Sequence, residues 1–588
     1  MNILTKHLKL VFTTFLIFIS YNAQAASSYK MPIGIPDTTL DFQQEMPVRP
    51  SDWSVEKAGY YYINYQTGSD KQTYGTPEAP RKSFPAPALA GSYIEIAGEY
   101  TQGFTSKQNR VYRFNGTDDV WSAGVAGPVW VTEAKDTDGV ISSIGFIITG
   151  TNVFISDLDF INDSKLQIGS ASDGYPAENI VARNIDISGG GLSISGNKKV
   201  GTTKANNIVV FNSKIHDFGD LYSTTDDDND PILISAGVSN VWVLENEIYN
   251  ASGAGLQVLG TAERGITSNI YAGGNDIHHV RQSGMWLKYG SNIVFSSNYV
   301  HDIISTSWSP AKGMGAQYAP DNFWMINNHI SGVEYGIRVG STDSTTWDKK
   351  LYIIGNVIHD VEPVQAGQTV GSIASTSSWQ SAGIHLASAD ELYVFNNLIF
   401  DVPNGIDVSS SNAKTWVKNN IILDVTRAHT EGNTGYHIMF EYINLNEYGF
   451  IDNNYFGEGM NVYTKDSGNK SQDDSVATLN ARAGASGNVQ GTNIITPNNI
   501  DSIMDAKSID SLDFTKINDA GTNVNDILIT RFISLFPDTS EIDSDIFDKP
   551  RNLGNSIDIG PFEMNGFIPE KPTEAPVTPI IIDVIQIE

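Results

Sequence analysis

The sequence predicts an all-β solenoid, a parallel β-helix with an N-terminal cap and a C-terminal extension. Three observations support this fold class. A short unit recurs through the middle of the 588-residue chain, aliphatic and polar residues alternate within its strands, and an asparagine recurs at one position of the unit. Because a single unit cannot bury its own aliphatic face, stacking the units as successive turns gives them a continuous core.

Each unit contains two strands. The first is rich in β-branched residues and leads into an asparagine, an aliphatic residue and a polar turn. It recurs at 207–217, 240–250, 269–279, 292–302, 322–332, 351–360, 392–401 and 415–424. The second has the form Gly-aliphatic-x-aliphatic and begins at Gly255, Gly284, Gly336, Gly383 and Gly405. Alternation directs its aliphatic residues to one side of the strand and its x residues to the other.

The recurring asparagines stand two residues before the aliphatic residue that follows the first strand. At equivalent corners of a stack, such side chains can hydrogen-bond from turn to turn and satisfy buried backbone groups. The ladder that we expect consists of Asn246, Asn275, Asn298, Asn328, Asn356, Asn397 and Asn420.

The ends of the chain predict a leader, caps and a tail. Residues 1–25 have the charged, apolar and small-residue order of a secretory signal peptide, so we expect an exported protein. We assign 26–139 to the N-terminal cap and first turns, 140–430 to the helix core, and 431–565 to further turns and a closing segment. Residues 566–588, rich in proline and acidic residues, predict an extended tail.

Composition excludes several classes of function. Cysteine is absent, which excludes disulfide scaffolds, cysteine nucleophiles and thiolate metal sites. The formal net charge of −30 argues against broad electrostatic binding to nucleic acid or to an anionic membrane. We therefore expect the partner to be a substrate and not a nucleic acid or a lipid surface. We also expect a monomer, although composition does not determine the oligomeric state.

The repeated pattern resembles the right-handed parallel β-helix of the pectate-lyase-like superfamily, over roughly residues 140–430. This superfamily includes many secreted enzymes that degrade polysaccharides. The resemblance implies the fold, whereas the activity must be argued from the site residues, since one fold supports several functions.

The x residues of successive turns should form a column on the outer surface. That column contains Ser193, Leu233, Gln257, Trp286, Arg338, His385 and Asp407. A second column, two residues further along each strand, contains Ser235, Lys288 and Gln317. Neighbouring turns are roughly 4.8 Å apart, so a polymer lying along the helix would touch several of these side chains. An aromatic ring and cations suit an anionic sugar chain, and a solvated polar face is the alternative.

An acidic loop leads into one of these strands. Asp226, Asp228 and Asp230 resemble the start of an EF-hand, but Pro231 stands where that loop needs glycine, so the motif is rejected. Hard cations still prefer several carboxylate ligands, which makes calcium bound in another geometry one prediction for these aspartates. A solvated acidic loop is the alternative.

Histidines followed by aspartate recur at one position of the repeat, at His216, His301 and His359. A feature that returns in every turn predicts turn architecture and not a catalytic centre. His279 differs, because it replaces the aspartate and precedes Arg281, close in sequence to Trp286. We therefore keep His279 as a candidate substrate-binding residue.

Many enzymes of the superfamily cleave acidic polysaccharides by β-elimination. A cation neutralises the uronate carboxylate, which acidifies the C5 proton, and a basic side chain removes that proton. The resemblance implies Lys288 as the base, with a lowered pKa, and Arg281 and Arg338 as neutralising groups. His385 or Tyr318 would donate a proton to the leaving oxygen. The substrate-binding residues that we expect are Trp286, Gln257, Gln317, Tyr318, His279 and Asp407.

Two other functions remain open. The order of Asp228, Asp230 and Lys288 on consecutive turns is faintly similar to polygalacturonases, although Ala254 and Trp286 replace the His and Arg of that pattern. The two aspartates would then act as acid and base of a glycoside hydrolase. A non-catalytic adhesin or matrix protein is the third interpretation, since a β-helix also makes a passive surface.

Overall fold

The computed structural model describes residues 41–101, 110–169, 175–196, 205–223, 225, 227–260, 267–306, 309–340, 349–363, 381–387, 389–409, 413–425, 435–445, 447–466, 469–493 and 495. The predicted signal peptide, the closing segment after residue 495 and the acidic tail lie outside these residues. No helix in the described ranges is long and apolar enough to cross a membrane.

The chain coils through three parallel faces, which we name A, B and C in the order in which each turn visits them. Strands of one face pair with the equivalent strands of the turns before and after. Face A contains β2 (Ala88–Leu89), β5 (Arg110–Asn115), β10 (Lys165–Ile168), β13 (Leu192–Ile194), β16 (Ile232–Ser235), β19 (Leu256–Leu259), β26 (Tyr335–Val339), β29 (Ala382–Leu386), β32 (Ile406–Val408), β35 (Ile438–Asn444) and β38 (Val462–Asp466).

Face B follows face A in each turn. It contains β1 (Tyr60–Ile63), β3 (Tyr93–Ile96), β6 (Val129–Glu133), β11 (Ala177–Arg183), β14 (Ala205–Phe211), β17 (Val238–Leu244), β20 (Thr267–Gly273), β27 (Lys350–Ile354), β30 (Glu391–Phe395), β33 (Lys414–Lys418), β36 (Gly449–Asp452) and β40 (Ala485–Ser486). Three long strands run from face A into face B without a break: β8 (Gly145–Ser156), β22 (Ser283–Ser296) and β24 (Lys312–Ile326).

Face C completes each turn. Its strands are β4 (Gly98–Tyr100), β7 (Gly139–Ser142), β9 (Asp159–Ile161), β12 (Asp186–Ser188), β15 (Lys214–Phe218), β18 (Glu247–Ala251), β21 (Asp276–Val280), β23 (Tyr299–His301), β25 (His329–Ser331), β28 (Val357–Ile358), β31 (Leu398–Ile399), β34 (Ile421–Ile422), β37 (Tyr455–Phe456) and β41 (Val489–Gln490). Near the C-terminal end, β39 (Asn469–Asp473) pairs antiparallel with β38, and the short helix α1 (Val476–Asn480) follows.

The core runs along the axis of the coil, as the alternation predicts. On face A, one inward position of each turn forms a fully buried aliphatic column in parallel register. Its members are Ile234, Val258, Leu287, Ala316, Val339, Leu386 and Val408. The predicted parallel β-helix is confirmed, and its turns extend from β1 to β41, beyond the repeat at 140–430 on both sides.

The asparagine ladder is also confirmed. Each side chain donates from Nδ2 to Oδ1 of the next asparagine at 2.9–3.0 Å, from Asn246 as far as Asn420. The same Nδ2 groups also donate to backbone carbonyls of the preceding turn, such as Phe295 for Asn328. Two further turns continue the ladder through Asn454 and Asn488. The ladder satisfies polar backbone groups that the corner would otherwise bury without partners.

Candidate active site on face A

The outward column of face A has the order that the repeats predict, with one insertion. Parallel register aligns Gln257 with Trp286, and Arg338 with His385, which aligns in turn with Asp407. Between Trp286 and Arg338, however, a further turn contributes Gly315. Trp286 and Arg338 are therefore two turns apart, and the position between them carries no side chain.

Gly315 is required at this position by the close approach of the next strand. Its φ is +154°, and a Cβ added there would lie 1.8 Å from the Arg338 carbonyl oxygen. Any larger residue would push β24 and β26 apart. The column is thus interrupted by a gap between an aromatic and a cationic side chain.

The second outward column differs from the expectation. Ser235 aligns with Leu259, and Leu259 aligns with Tyr289, because the register shifts by one residue between Leu287 and Tyr289. Lys288 therefore occupies a β-bulge and does not belong to the Ser235 column. A one-residue insertion of this kind changes which side chains share a face.

Lys312, which the sequence analysis missed, lies beside the gap. Its side chain is only 4% exposed, and its Nζ lies 5.0 Å from the centre of the Trp286 ring. The nitrogen donates to Ser309 Oγ and to the Pro310 carbonyl oxygen, the latter at 3.1 Å. Burial, followed by the positive charge of Arg338, holds the pKa of Lys312 well below its usual range.

These contacts suit a neutral amine. A neutral lysine has two N–H groups, and the two acceptors, Ser309 and Pro310, match that number. The remaining lone pair of Nζ is then available to accept a proton. Trp286 is 7% exposed and is covered in part by Lys312, so it serves more as a platform for the lysine than as a surface for sugar stacking.

Arg338 lies two turns from Trp286 and next to the gap. Its guanidinium carbon is 5.2 Å from the centre of the Tyr335 ring, and its buried Nε has no hydrogen-bond acceptor among the described residues. Burial lowers the pKa of Arg338, while Tyr335 opposes that shift. An arginine without a fixed partner can receive a carboxylate through its paired N–H groups.

His385 and Asp407 continue the same column and form a hydrogen-bonded pair. His385 Nδ1 lies 2.8 Å from Asp407 Oδ2, and both residues are buried. The His385 ring also meets the Tyr335 ring edge-on, at 5.8 Å between centres. Since Asp407 holds Nδ1, Nε2 is the nitrogen through which His385 can exchange a proton. The other oxygen of Asp407, Oδ1, has no partner among the described residues.

The outward residues of face A form a strip that runs from Gln257 through Trp286, Lys312 and Arg338 to His385 and Asp407. Asp230 and Gln257 lie at the end of this strip opposite to Asp407. Asp230 accepts hydrogen bonds from the Ala254 N–H, at 2.8 Å, and from Gln257 Nε2. Burial raises the pKa of Asp230 to about 7, and Asp228 adds to the shift, whereas the two hydrogen bonds and Lys288 oppose it. Asp228 in turn accepts a hydrogen bond from Gln282 at 2.8 Å.

These aspartates fit calcium poorly. Asp226 lies outside the described residues, and both oxygens of Asp230 already accept hydrogen bonds. A carboxyl group whose pKa is about 7 is also a weaker ligand than the ionised carboxylates that calcium prefers. Calcium at this loop stays a prediction, and no step of the reaction proposed below passes through it.

Arg281 is placed differently from the expectation. It is fully buried and donates to the carbonyl oxygens of Asp220 and Thr225, at 3.4 and 3.3 Å. Its side chain therefore supports the loop before Asp228 and presents no surface to a substrate. We withdraw it as a neutralising group, because a guanidinium must be reached by the carboxylate that it pairs with.

Four other expected residues lie outside the strip around Lys312. His279 is exposed on β21 of face C, whereas Trp286 is on face A. Tyr318 stacks on Tyr289 with 4.8 Å between ring centres, and Gln317 is exposed beside it, opposite the Lys288 bulge. Lys288 itself is partly exposed. These side chains border the strip on the face B side of β22 and β24, or, for His279, lie on another face.

The histidine–aspartate pairs form a separate ladder on face C. His216 Nδ1 and Nε2 lie 2.8 and 2.9 Å from Asp217 and Asp186, and His301 repeats the arrangement with Asp302 and Asp276. Because the same contacts recur at His301, the His216–Asp217 pair is a structural feature of the turns, as the sequence predicts.

Comparison with known proteins supports the fold. The sequence model of the family described as "Right handed beta helix region" matches residues 234–422. No curated protein matches the sequence.

Several solved structures resemble the chain at low identity. A mannuronic acid specific polysaccharide family 6 lyase from human gut microbiota is 13% identical, with 76% of this chain and 94% of that chain covered and a TM-score of 0.39. A GH136 lacto-N-biosidase from Eubacterium ramulus is 14% identical, with 64% and 66% covered and a TM-score of 0.35. The mannuronan C-5 epimerase AlgE6 A-module of Azotobacter vinelandii is 16% identical, with 47% and 86% covered and a TM-score of 0.27. The family match and the three-faced coil of parallel strands together identify the chain as a right-handed parallel β-helix protein.

Proposed function

We propose that this protein is a secreted enzyme that cleaves an acidic, uronate-containing polysaccharide by β-elimination on face A. One observation carries the proposal. Lys312 is a buried lysine whose pKa lies well below its usual range, and Arg338, whose Nε–H has no acceptor within the described part of the chain, is close enough to contribute to that shift. Neither cation forms a salt bridge with a carboxylate of the described residues, although Glu334 and Asp228 lie near enough to oppose the shift at Lys312, and a pair of this kind suits an anionic substrate.

Arg338 would bind the carboxylate of the uronate that reacts. Pairing that carboxylate with a guanidinium reduces its negative charge, which makes the neighbouring C5–H more acidic. Gly315 contributes no side chain between Trp286 and Arg338, and the sugar would lie at this turn, beside Arg338. Binding of the carboxylate and acidification of the C5 proton are thus assigned to Arg338 alone, whereas the sequence predicted Arg281 and Arg338 together.

Lys312 would be the base. Its neutral amine takes the C5 proton onto Nζ, and the electron pair left behind forms the C4=C5 double bond as the C4–O bond breaks. Protonated His385, oriented by Asp407, would give a proton to the leaving oxygen. The products are a new non-reducing end that carries the double bond and a new reducing end.

The reaction class is tested by following two products at once. Purified mature protein is incubated with a panel of uronate-containing polysaccharides, while absorbance of the unsaturated uronate and reducing ends are both recorded. Elimination predicts that the two signals rise together in equal molar amounts. A rise in neither signal on any substrate would favour the adhesin interpretation and would contradict the proposal.

Hydrolysis is a second candidate, and Asp230 is the observation that favours it. A carboxyl group with a pKa of about 7 can remain protonated near neutral pH, as a general acid for glycoside hydrolysis requires. Asp228, which adds to that shift, would be the base. This candidate predicts reducing ends without the unsaturated product, and loss of turnover in Asp228→Asn and Asp230→Asn.

A further inference from the structure

A second cluster of titratable side chains lies on face C, apart from the strip on face A. Aromatic rings of successive turns stack there in the order His216, Tyr249, His278 and His301, with 4.8, 5.2 and 4.9 Å between ring centres. His278 and His301 bring two imidazoles together on adjacent turns. Asp276 lies beside both, and one ligand atom from each of the three lies within 4.8 Å of the others.

A fourth group borders the same cluster. Glu247 Oε1 is 4.0 Å from His278 Nε2, and the other carboxylate oxygen, Oε2, is held by Lys214 Nζ at 2.7 Å. Lys214 therefore orients the Glu247 carboxylate and leaves Oε1 on the side of the imidazole. The cluster thus offers two ring nitrogens and two carboxylates.

Each imidazole is also held through its other nitrogen. His301 Nδ1 lies 2.8 Å from Asp302 Oδ2, and His278 Nδ1 lies 2.7 Å from His279 Nδ1. Both contacts leave Nε2 as the nitrogen that faces Asp276 or Glu247. Metal-binding histidines show this arrangement, because a partner on the second nitrogen fixes the tautomer and the direction of the ring.

We propose that Glu247, Asp276, His278 and His301 bind a borderline divalent transition-metal cation, of which Zn²⁺ is the representative. Two imidazoles and two carboxylates form a mixed set that suits Zn²⁺ better than Ca²⁺, which prefers oxygen ligands alone. The residues come from β18, β21 and β23, so one ion would join three consecutive turns of the helix. The proposal is independent of the reaction on face A.

Binding exchanges one interaction for another. His301 Nε2 now lies 3.1 Å from Asp276 Oδ1, a contact that needs a proton between the two atoms. The cation takes the place of that proton, which is released to solvent, so affinity should fall as the pH is lowered. The two rings are 4.9 Å apart and must tilt to reach Zn–N distances of about 2.0–2.1 Å, which their partly exposed positions permit.

His216 provides a matched control. It makes the same contacts as His301, to Asp217 through Nδ1 and to Asp186 through Nε2. Its neighbour on the next turn is Tyr249, which is a ring without a metal-binding nitrogen. The position therefore keeps the hydrogen-bonded ladder and lacks the second imidazole.

The test uses the full chain, stripped with chelator and then titrated with Zn²⁺ by calorimetry, with Ca²⁺ as the comparison ion. We expect a zinc-binding event that raises the unfolding temperature and is weakened at least tenfold in His278→Gln and in His301→Gln, but kept in His216→Gln. Asp302→Asn should weaken it by about 10- to 100-fold while leaving all four ligands in place. Co²⁺ bound to the wild type should show the visible absorption of a nitrogen- and oxygen-ligated site.

Two results would overturn the proposal. One is a wild-type protein that binds Zn²⁺ no more tightly than Ca²⁺. The other is an equal loss of affinity in His216→Gln and His301→Gln, which would mean that any histidine of the ladder captures the ion. If a ligand variant fails to fold, the comparison of Asp302→Asn with His216→Gln decides the question by the same criteria.

Discussion

The side-chain nitrogen of Lys312 lies 5.0 Å from the centre of the Trp286 ring, which belongs to the preceding turn of the helix. The indole face attracts a cation but also excludes water from it, and here the lysine is 4% exposed. Burial dominates the balance, so the pKa of Lys312 is lowered well below its usual range. This pair of residues turns a lysine, ordinarily a solvated cation, into a candidate base.

Arg338 contributes to that pKa through like-charge repulsion, second to burial. The base must be neutral, so kcat/KM should rise with pH as Lys312 loses its proton. Arg338→Gln removes the repulsion and raises the pKa of Lys312, so the rising limb of the pH profile should move to higher pH, in addition to a loss of activity. Lys288→Gln is the control and should leave the limb in place. A limb that stays fixed or moves to lower pH in Arg338→Gln would contradict this assignment.

Asp230 should make stability depend on pH. Its pKa is raised from 3.8 to about 7 in the folded state, so the folded state binds more protons than the unfolded state between those values. The stabilisation is therefore complete below pH 3.8 and is lost as the pH rises through about 7, on the order of 1.4 kcal/mol per pH unit. Asp230→Asn should flatten this part of the curve, as measured by denaturant unfolding from pH 4 to 8. An unchanged slope would show that Asp230 does not titrate as described.

Asn328 tests the asparagine ladder. It is fully buried, donates to Asn356 Oδ1 and to the Phe295 carbonyl oxygen, and accepts from the Asn298 backbone N–H. Asn328→Ala removes the side chain that satisfies the Phe295 carbonyl oxygen and the Asn298 N–H, at about 1–3 kcal/mol for each, while Asn356 Oδ1 keeps the backbone N–H of residue 328. We expect a loss of several kcal/mol in the free energy of unfolding.

The control for the ladder is Asn322→Ala, at another corner of the same turn. Asn322 is only partly buried and donates to Asn292 at 3.3 Å. Its loss should cost roughly 1–2 kcal/mol, because one partly buried hydrogen bond is lost and alanine adopts the φ of +53° at this position less readily than asparagine does. Equal losses in the two variants would mean that the asparagine ladder of Asn328 contributes no more to stability than the partly buried Asn322 does.

Gly315 tests the close approach of β24 and β26. In Gly315→Ala the new Cβ would meet the Arg338 carbonyl oxygen at 1.8 Å, so the strands must separate. We expect a loss of about 3 kcal/mol or more in stability, together with a loss of turnover because Arg338 moves. Gly340→Ala is the control, since among the described residues its Cβ would meet only Arg338 Nη2, at 4.0 Å. A stable and fully active Gly315→Ala protein would contradict the packing described here.

Sequence periodicity was sufficient to predict the fold. The asparagine at one position of each turn and the Gly-aliphatic-x-aliphatic strands correspond directly to the ladder at one corner and to the aliphatic column inside face A. Such short-range sequence patterns predict the fold well, because each turn contacts only its two neighbours. The order of Trp286, Arg338, His385 and Asp407 along the outer surface follows from the same pattern.

The site was less accessible to sequence reasoning. The turn that begins at Lys312 has Gly315 at its x position and Ala316 where larger aliphatics usually stand, so the pattern predicts Gln317 in its second column but no member of the x column. The bulge at Lys288 is a one-residue insertion that alternation cannot reveal. Burial of Lys312 depends on Ser309, Pro310 and the ring of the preceding turn, and none of these contacts follows from a single strand.

The most direct test of the account compares turnover in Lys312→Met with turnover in Lys288→Met, on a substrate that wild type cleaves, by absorbance of the unsaturated uronate. Both changes replace a lysine by an uncharged side chain of similar length on neighbouring turns of face A. We predict that Lys312→Met lowers kcat by roughly 10²- to 10⁴-fold, the range of general-base catalysis, while Lys288→Met keeps kcat near the wild-type value. Full turnover in a folded Lys312→Met protein would contradict the account, whatever the substrate.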